Sequence, residues 1–462
     1  MNILFIYTNI NGFHENDYSF GLASIVSSIK KAGHTPTVLI ARERSGYGRI
    51  MDEVARSAPK IVGFSSVSSQ FGFVKEISTM VKNSFPDIIT VCGGVHPTIA
   101  PECALEPGSP DYLFRGESEL SFVDFVDKVD RGASAADTEN LAFAKEGKLV
   151  VNKLRPLLKD LDILPYPDRE TYPYGPTIKK IGYAPFFFSR GCPYACSYCS
   201  NHAIARVYGL PTNTPRYRSP ESSICEIEQV VKRFSVNTIS IGDDIFGLDK
   251  AWREDFCIKY KNRIKIRFFC FLRANLVTED FIKLLKDAGC YRISIGVESG
   301  NEHVRNDVMN RSMSNAQIEK AFGIIHRNGM LTNAINIIGT PGETESAIMD
   351  TIKLNRKIKP TSSGVNIFYP YRGTRLGDYC FQNDMVDLAG YLEFSNERRD
   401  TVLKCSDEYK RMLIRYRENW ERLVYPHDIK RALFSIARKT PVWEYLRKSR
   451  NFVRDRIKAR GI

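Results

Sequence analysis

The chain has 462 residues, 43% of them hydrophobic, with a formal charge of +13. That length and composition exclude a disordered or fibrous protein and leave room for two or three packed domains. The N-terminal "MNILFIYTNI" lacks a basic flank, and no later run approaches the roughly 18 apolar residues of a membrane span, so a cytoplasmic protein is expected. The eleven cysteines, an odd number in a large chain, read as free thiols plus one group of ligands, and not as a disulfide framework.

Residues 1–135 alternate short apolar runs ("NILFIYT", "TPTVLI", "KIVGFSSV", "IITVCGG", "DYLFRG") with helical patterns such as "FGLASIVSSIKKAGH". This alternation predicts βαβ units and an open parallel sheet, whose ligands bind beyond the carboxyl ends of the strands. Ser65, Ser66, Ser68, Gly93, Gly94, His96, Arg115, Gly116 and Glu117 fall at those ends. Residues 136–180, with the Pro-rich "RPLLKDLDILPYPDRETYPYGP", read as an extended linker.

In residues 181–380 six further strands are predicted: "APFFFSR", "NTISIGDD", "IRFFCFLR", "YRISIGVES", "NAINIIGTP" and "SGVNIFYPY". Six strand–helix units predict a partial (β/α)6 TIM-like barrel with its site at the C-terminal strand ends. Gly242, Asp243, Asp244, Arg273, Glu298 and Gly339 lie there, and Tyr369, Tyr371 and Arg372 follow the sixth strand as candidate substrate-pocket residues.

After the first barrel strand comes "SRGCPYACSYCS", with Cys192, Cys196 and Cys199 at CxxxCxxC spacing. Soft thiolates at this spacing suit a zinc site completed by His202, or an iron–sulfur cluster with one iron left open.

Residues 381–462 read as a basic helical C-terminal region. From Arg398 onward there are 19 Lys and Arg against 8 Asp and Glu, so +11 of the +13 lies here. Leu433, Ile436, Trp443, Leu446, Phe452 and Ile457 interleave with the basic residues, as in a helical cap on the barrel or a peripheral membrane contact. No nucleic-acid-binding module is recognisable.

The cysteine motif with the aromatic Tyr198, together with "GDDIFGLDK", "RAN", "GCYRISIGVESGN" and "NIIGTPGET", resembles the radical S-adenosylmethionine (SAM) enzymes. "GLASIVSSIKKAGH", "CGGVHPTIAPE" and "DYLFRGESE" resemble the cobalamin-binding domain that precedes the barrel in the class B branch. The resemblance implies a [4Fe-4S] cluster on Cys192, Cys196 and Cys199, with SAM at the open iron and cleaved to a deoxyadenosyl radical. It also implies SAM contacts from Tyr198, Gly242, Asp243, Asp244, Arg273, Glu298 and Gly339, and cobalamin contacts from the first group of strand-end residues. Gly242-Asp243-Asp244 departs from the family's commoner Gly-Gly-Glu. The Asp-x-His-x-x-Gly cobalt-ligand signature is absent, which leaves His14 as a solvated loop residue or an axial ligand. The implied activity is methylation of an unactivated carbon of a small-molecule or lipid-like metabolite, fed by a flavodoxin- or ferredoxin-type electron donor. Its rivals are a cyclisation, rearrangement or ring-forming oxidation without methyl transfer, and a non-catalytic cobalamin or zinc sensor.

Overall fold

The structure is a computed structural model that describes residues 1–10, 16–212, 214–392, 397–426 and 428. His14 and the six interleaved apolar residues of the basic tail lie outside the described residues. The first sheet contains β1 (Asn2–Thr8), β2 (Thr35–Ala41), β3 (Ile61–Ser65), β4 (Ile89–Gly93), β5 (Tyr112–Phe114), β6 (Leu141–Lys145) and β7 (Lys148–Val151). Its order is β2-β1-β3-β4-β5-β6-β7, parallel through β5. β1 is apolar on both faces because helices cover both sides, one core forming on each. The order reverses at β1 and β3, which opens a crevice above their carboxyl ends.

β6 and β7 are an antiparallel hairpin added to the sheet edge. This corrects the reading of residues 136–180 as wholly linker. Glu146 and Gly147 both have positive φ, 52° and 72°, the backbone of a two-residue hairpin turn between "LAFAK" and "KLVV".

The remaining connecting segment is stitched to both neighbours. The Asp168 carboxylate takes an ion pair from Lys30 at 2.5 Å, and its carbonyl accepts from Tyr18 Oη at 3.0 Å. Arg169 pairs with Glu226 of the barrel helix Pro220–Arg233 at 2.6 Å, both side chains buried. Its guanidinium lies 5.0–5.8 Å from the ring centroids of Tyr18, Tyr174 and Phe186. One apolar cluster runs from Phe5 and Leu22 of the first domain into Phe186 and Ile239 of the second, so the two share a core.

The second unit contains β8 (Ala184–Phe186), β9 (Ser189–Arg190), β10 (Arg216–Tyr217), β11 (Ile239–Ile241), β12 (Phe268–Leu272), β13 (Cys290–Glu298), β14 (Leu331–Ile338) and β15 (Ser362–Ile367). Six of these form a parallel sheet in the order β15-β14-β13-β12-β11-β8, while β9 and β10 make a short antiparallel ribbon at its rim. All six predicted barrel strands are present. Helices Asp407–Glu418 and Trp420–Val424 pack Leu413, Tyr416, Trp420 and Val424 against Ile338, Ile352 and Ile367, forming a cap on the barrel. No helix among the described residues is long and apolar enough to cross a membrane.

Candidate functional site

The carboxyl ends of the first sheet and of β8 and β11 in the second open onto one cavity of about 370 Å3, and the cysteine loop leaves it at Gly191 and rejoins it at Asn201. Ser65, Gly93, Gly94 and Gly116 line it from the first domain; Phe187, Asn201 and Asp244 line it from the second. Phe20 and Phe187 meet edge to face across it at 4.7 Å. Ser65, Gly93, Gly94, Gly116 and Glu117 of the first predicted set and Asp244 of the second therefore border a common space.

The cysteine loop begins directly after the rim ribbon. Cys199 is the N-cap of helix Ser200–Val207. The loop is fastened to the segment after β13: Ser197 donates from its backbone to Met309 O at 3.0 Å and from Oγ to Val308 O at 2.6 Å, and Asn310 Nδ2 donates to Ala195 O at 2.7 Å. Burial pushes the Cys192 thiol up to about 11 and the Cys199 thiol up to about 12. Thiols in such surroundings ionise when a metal displaces their protons. Arg273 Nη1 stands 3.7 Å and Arg311 Nη1 3.9 Å from Cys196 Sγ, so two guanidinium charges face the loop. Three soft donors beside two buried cations fit an anionic thiolate-held cluster. Among the described residues no three His, Cys, Asp or Glu side chains are grouped as a single-ion site, and buried His202 Nδ1 has no hydrogen-bond partner.

Arg311 also organises the SAM-side candidates. It donates to Tyr198 Oη at 2.8 Å and to Gly296 O at 2.8 Å, and pairs with Glu298 at 3.4 Å. Glu298 has φ 65°, where the β13–β14 register shifts, a strained conformation at a strand end. Burial raises its carboxyl above the ordinary range, against the pull of Arg311. Arg273 lies 3.9 Å from the Tyr194 ring centroid and donates to Arg311 O.

Of the paired aspartates, only Asp244 lines the cavity. Its carboxyl is set into the cavity wall, which raises its pKa, while a hydrogen bond from Asn201 pulls the other way. Asp243 is fully buried, and its Oδ1 accepts from Phe188 N at 2.7 Å. It fastens the segment after β11 to the end of β8 and does not itself line the cavity. Gly242 packs under the Phe187 ring. Gly339, expected on the SAM side, has φ 78°, and a Cβ there would lie 2.8 Å from Leu413, so the close approach of the C-terminal cap accounts for this glycine.

On the first-domain side, Ser66 Oγ donates to Val67 O at 2.9 Å, and Gly94 packs against the Ser66 backbone. His96 Nδ1 meets Ser68 Oγ at 3.1 Å, and its ring packs on Phe71. Arg115 is turned from the shared cavity into a separate shallow groove with Lys153 and Tyr208. Glu117 does line the shared cavity, and Arg216 grips both of its carboxylate oxygens, at 2.5 and 3.0 Å.

Burial, with Lys75 and Arg372 nearby, lowers the His96 pKa from near 6.5 to about 4. The fold therefore favours the neutral ring. Below pH 6.5 the unfolded chain binds the proton more readily, so this contribution is complete above pH 6.5 and lost as pH falls towards 4. His96→Asn should flatten the acid limb of the stability profile by up to about 3 kcal/mol, measured by denaturant unfolding between pH 4 and 7. Parallel profiles for the two proteins would refute this.

Beyond β15, Tyr369 is buried between Tyr371 and Tyr391, at 5.3 Å from each ring. Tyr371 Oη bonds to Glu397 and accepts from Arg398 Nε at 3.0 Å, and the Arg372 guanidinium covers Phe381 at 3.9 Å. None of the three lines the shared cavity. Sequence reasoning missed Arg311, Arg216 and Tyr208, which lie outside any motif. It also left Arg190 unassigned, although its position two residues before Cys192 was a signal.

The radical SAM superfamily profile matches residues 186–354 and the B12-binding domain profile residues 15–126. An uncharacterized methyltransferase of Pyrococcus horikoshii is 27% identical over 83% of this chain and 82% of its own length. The anaerobic magnesium-protoporphyrin IX monomethyl ester cyclase of Rubrivivax gelatinosus is 26% identical over 80% of this chain and 68% of its own. Among solved structures, the radical SAM methyltransferase TsrM from Kitasatospora setae superposes with a TM-score of 0.70 at 17% identity, covering 82% of this chain and 78% of that one. OxsB, a cobalamin-dependent SAM radical enzyme, gives 0.63 at 18%, covering 87% and 58%. The two profiles fall on the two sheets whose strand ends share the cavity. The chain is therefore a radical SAM enzyme that carries a B12-binding domain ahead of its catalytic barrel.

Proposed function

We propose that the protein methylates an unactivated carbon of a small-molecule or lipid-like metabolite. One observation supports the reading: the carboxyl ends of a B12-binding sheet and of the first two strands of a radical SAM barrel open onto one cavity, next to the cysteine loop. When bound, the cluster with SAM beside this cavity would supply a hydrogen-abstracting radical, and cobalamin would supply the methyl group. Cys192, Cys196 and Cys199 hold the cluster, and Arg273 and Arg311 compensate its charge. Asp244 presents a carboxylate for an ammonium group, and the Tyr198–Arg311–Glu298 contacts hold the wall on the β13 side. Phe20 and Phe187 exclude water between the two halves. Ser65, Gly93, Gly94 and Gly116 give a flat, polar-edged floor to a bulky cofactor. An external one-electron donor of flavodoxin or ferredoxin type completes the system.

A second reading, ring formation without methyl transfer, is favoured by the similarity to the cyclase. Anaerobic turnover of a cell metabolite extract with methyl-labelled SAM separates the two. The proposed function expects a product heavier by one labelled methyl group. Deoxyadenosine release with an unlabelled product would establish the cyclase reading instead.

A further inference from the structure

Both flanks of the cysteine loop are gripped by the same turn of the B12-binding domain. Upstream, Arg190 closes the rim ribbon two residues before Cys192. Its Nη2 donates to Glu119 Oε1 at 2.6 Å and its Nη1 pairs with Glu117 Oε2 at 3.3 Å. Downstream, Tyr208 ends the helix that Cys199 caps, and its Oη accepts the Glu117 backbone N–H at 2.9 Å. Gly116, with φ 69°, lies directly beneath that hydroxyl, where a Cβ would collide with it.

The charges close as a set. Arg190 and Arg216 stand directly opposite each other across the β9–β10 ribbon. Like charges in that register repel and open a two-residue ladder. Glu117 lies between them and takes a pair from each, while Glu119 takes Arg190 again and a 2.8 Å hydrogen bond from Ser24 Oγ. The ribbon leading into Cys192 is thus neutralised by carboxylates of the other domain. Glu119 is buried, which alone would raise its carboxyl, yet Arg190 holds it below the ordinary range. Partly buried pairs of this kind resist screening by salt, unlike exposed ones. Arg216 Nη1 also donates to Leu158 O at 2.8 Å, joining the connecting segment to the set.

The geometry points to Arg190 and Tyr208 as positioning residues that, by clasping the Gly116–Glu119 turn from either side of the cysteine motif, fix the spacing between the iron–sulfur cluster and cobalamin. This rests on the proposed placement of the two cofactors. A radical at a substrate carbon and a methyl donor must approach within bond-forming reach, and misplacement by about 1 Å costs on the order of 100-fold in rate. A clasp on both sides of the loop gives that spacing one value.

The test is double electron–electron resonance between the reduced cluster and cob(II)alamin in the anaerobically loaded protein, which needs no substrate. Wild type should give one narrow distance. Arg190→Met should lose that single maximum and give a broad distribution, Arg190→Lys should recover most of it, and Tyr208→Phe should broaden it to a smaller degree. A narrow, unshifted distance in Arg190→Met carrying both cofactors at wild-type levels would overturn the proposal. If Arg190→Met does not fold, the same reading is taken from Tyr208→Phe and Glu119→Gln, where unchanged distributions overturn it. Wild type that loads no cobalamin or no cluster overturns the cofactor placement itself, and this inference with it.

Discussion

Replacement of Cys192, Cys196 or Cys199 by Ala should remove the iron and abolish SAM cleavage while leaving cobalamin binding unchanged. The three thiols are the soft donors on the loop between β9 and helix Ser200–Val207, and Arg273, just after β12, and Arg311, in the segment after β13, face Cys196. Losing one ligand of three from a cluster that already has an open iron exposes a second iron. The loss of cleavage should exceed the roughly 10- to 100-fold that outer-sphere partners contribute. The first sheet keeps its two cores and its own strand-end floor in these variants, so cobalamin should still bind. Iron and sulfide analysis, deoxyadenosine release and the cobalamin absorbance of anaerobically purified variants check all three points. A variant that retains cleavage would mean that the ligands are wrongly assigned.

The largest effect on stability is expected at Arg169 and Glu226. The pair is buried at 2.6 Å, 7% and 1% exposed, and the cation is caged by Tyr18, Tyr174 and Phe186. Arg169→Met leaves a buried carboxylate without its partner, and Glu226→Met leaves a buried guanidinium among aromatic rings. Each should cost about 3–5 kcal/mol, because an unpaired charge remains in an apolar setting. The double variant removes both charges and keeps much of the volume, so it should recover most of that loss. Unfolding of the four proteins in denaturant closes the cycle. A double variant as unstable as the sum of the single ones would show that the aromatic cage, and not the charge pair, is the source of the effect.

The barrel was legible because its six strands are short apolar runs, each ending in a polar cluster where strand meets loop. The first sheet was legible for the same reason through β5. The β6–β7 hairpin escaped because Glu146 takes a left-handed conformation that glycine or asparagine usually signals, and because the polar Pro-rich stretch behind it dominated the composition. The cysteine motif declares itself through spacing. What residues near it do depends on direction, which spacing does not carry. Asp243 and Asp244 are neighbours at a strand end, where successive side chains point to opposite sides, so one fastens a backbone while the other lines the cavity. Glu117 and Arg115 likewise flank one turn and diverge, towards Arg216 and towards the outer groove. Arg311 reaches Cys196 only through the fold, across 115 residues of chain.

The caged arginine of the connecting segment has a kinematic consequence. Two bodies pinned at one place can swivel, and at two places they can hinge. Here the halves are pinned by Arg169, by the clasped Gly116–Glu119 turn, and by the turn after β15, where Gly373 presses against Ile99 so closely that a Cβ would strike its carbonyl. Pins on three separate elements oppose a clamshell opening about any single axis. Ligand entry is then expected to ask for movement of side chains and loops at the cavity rim more than of the frame between the two sheets.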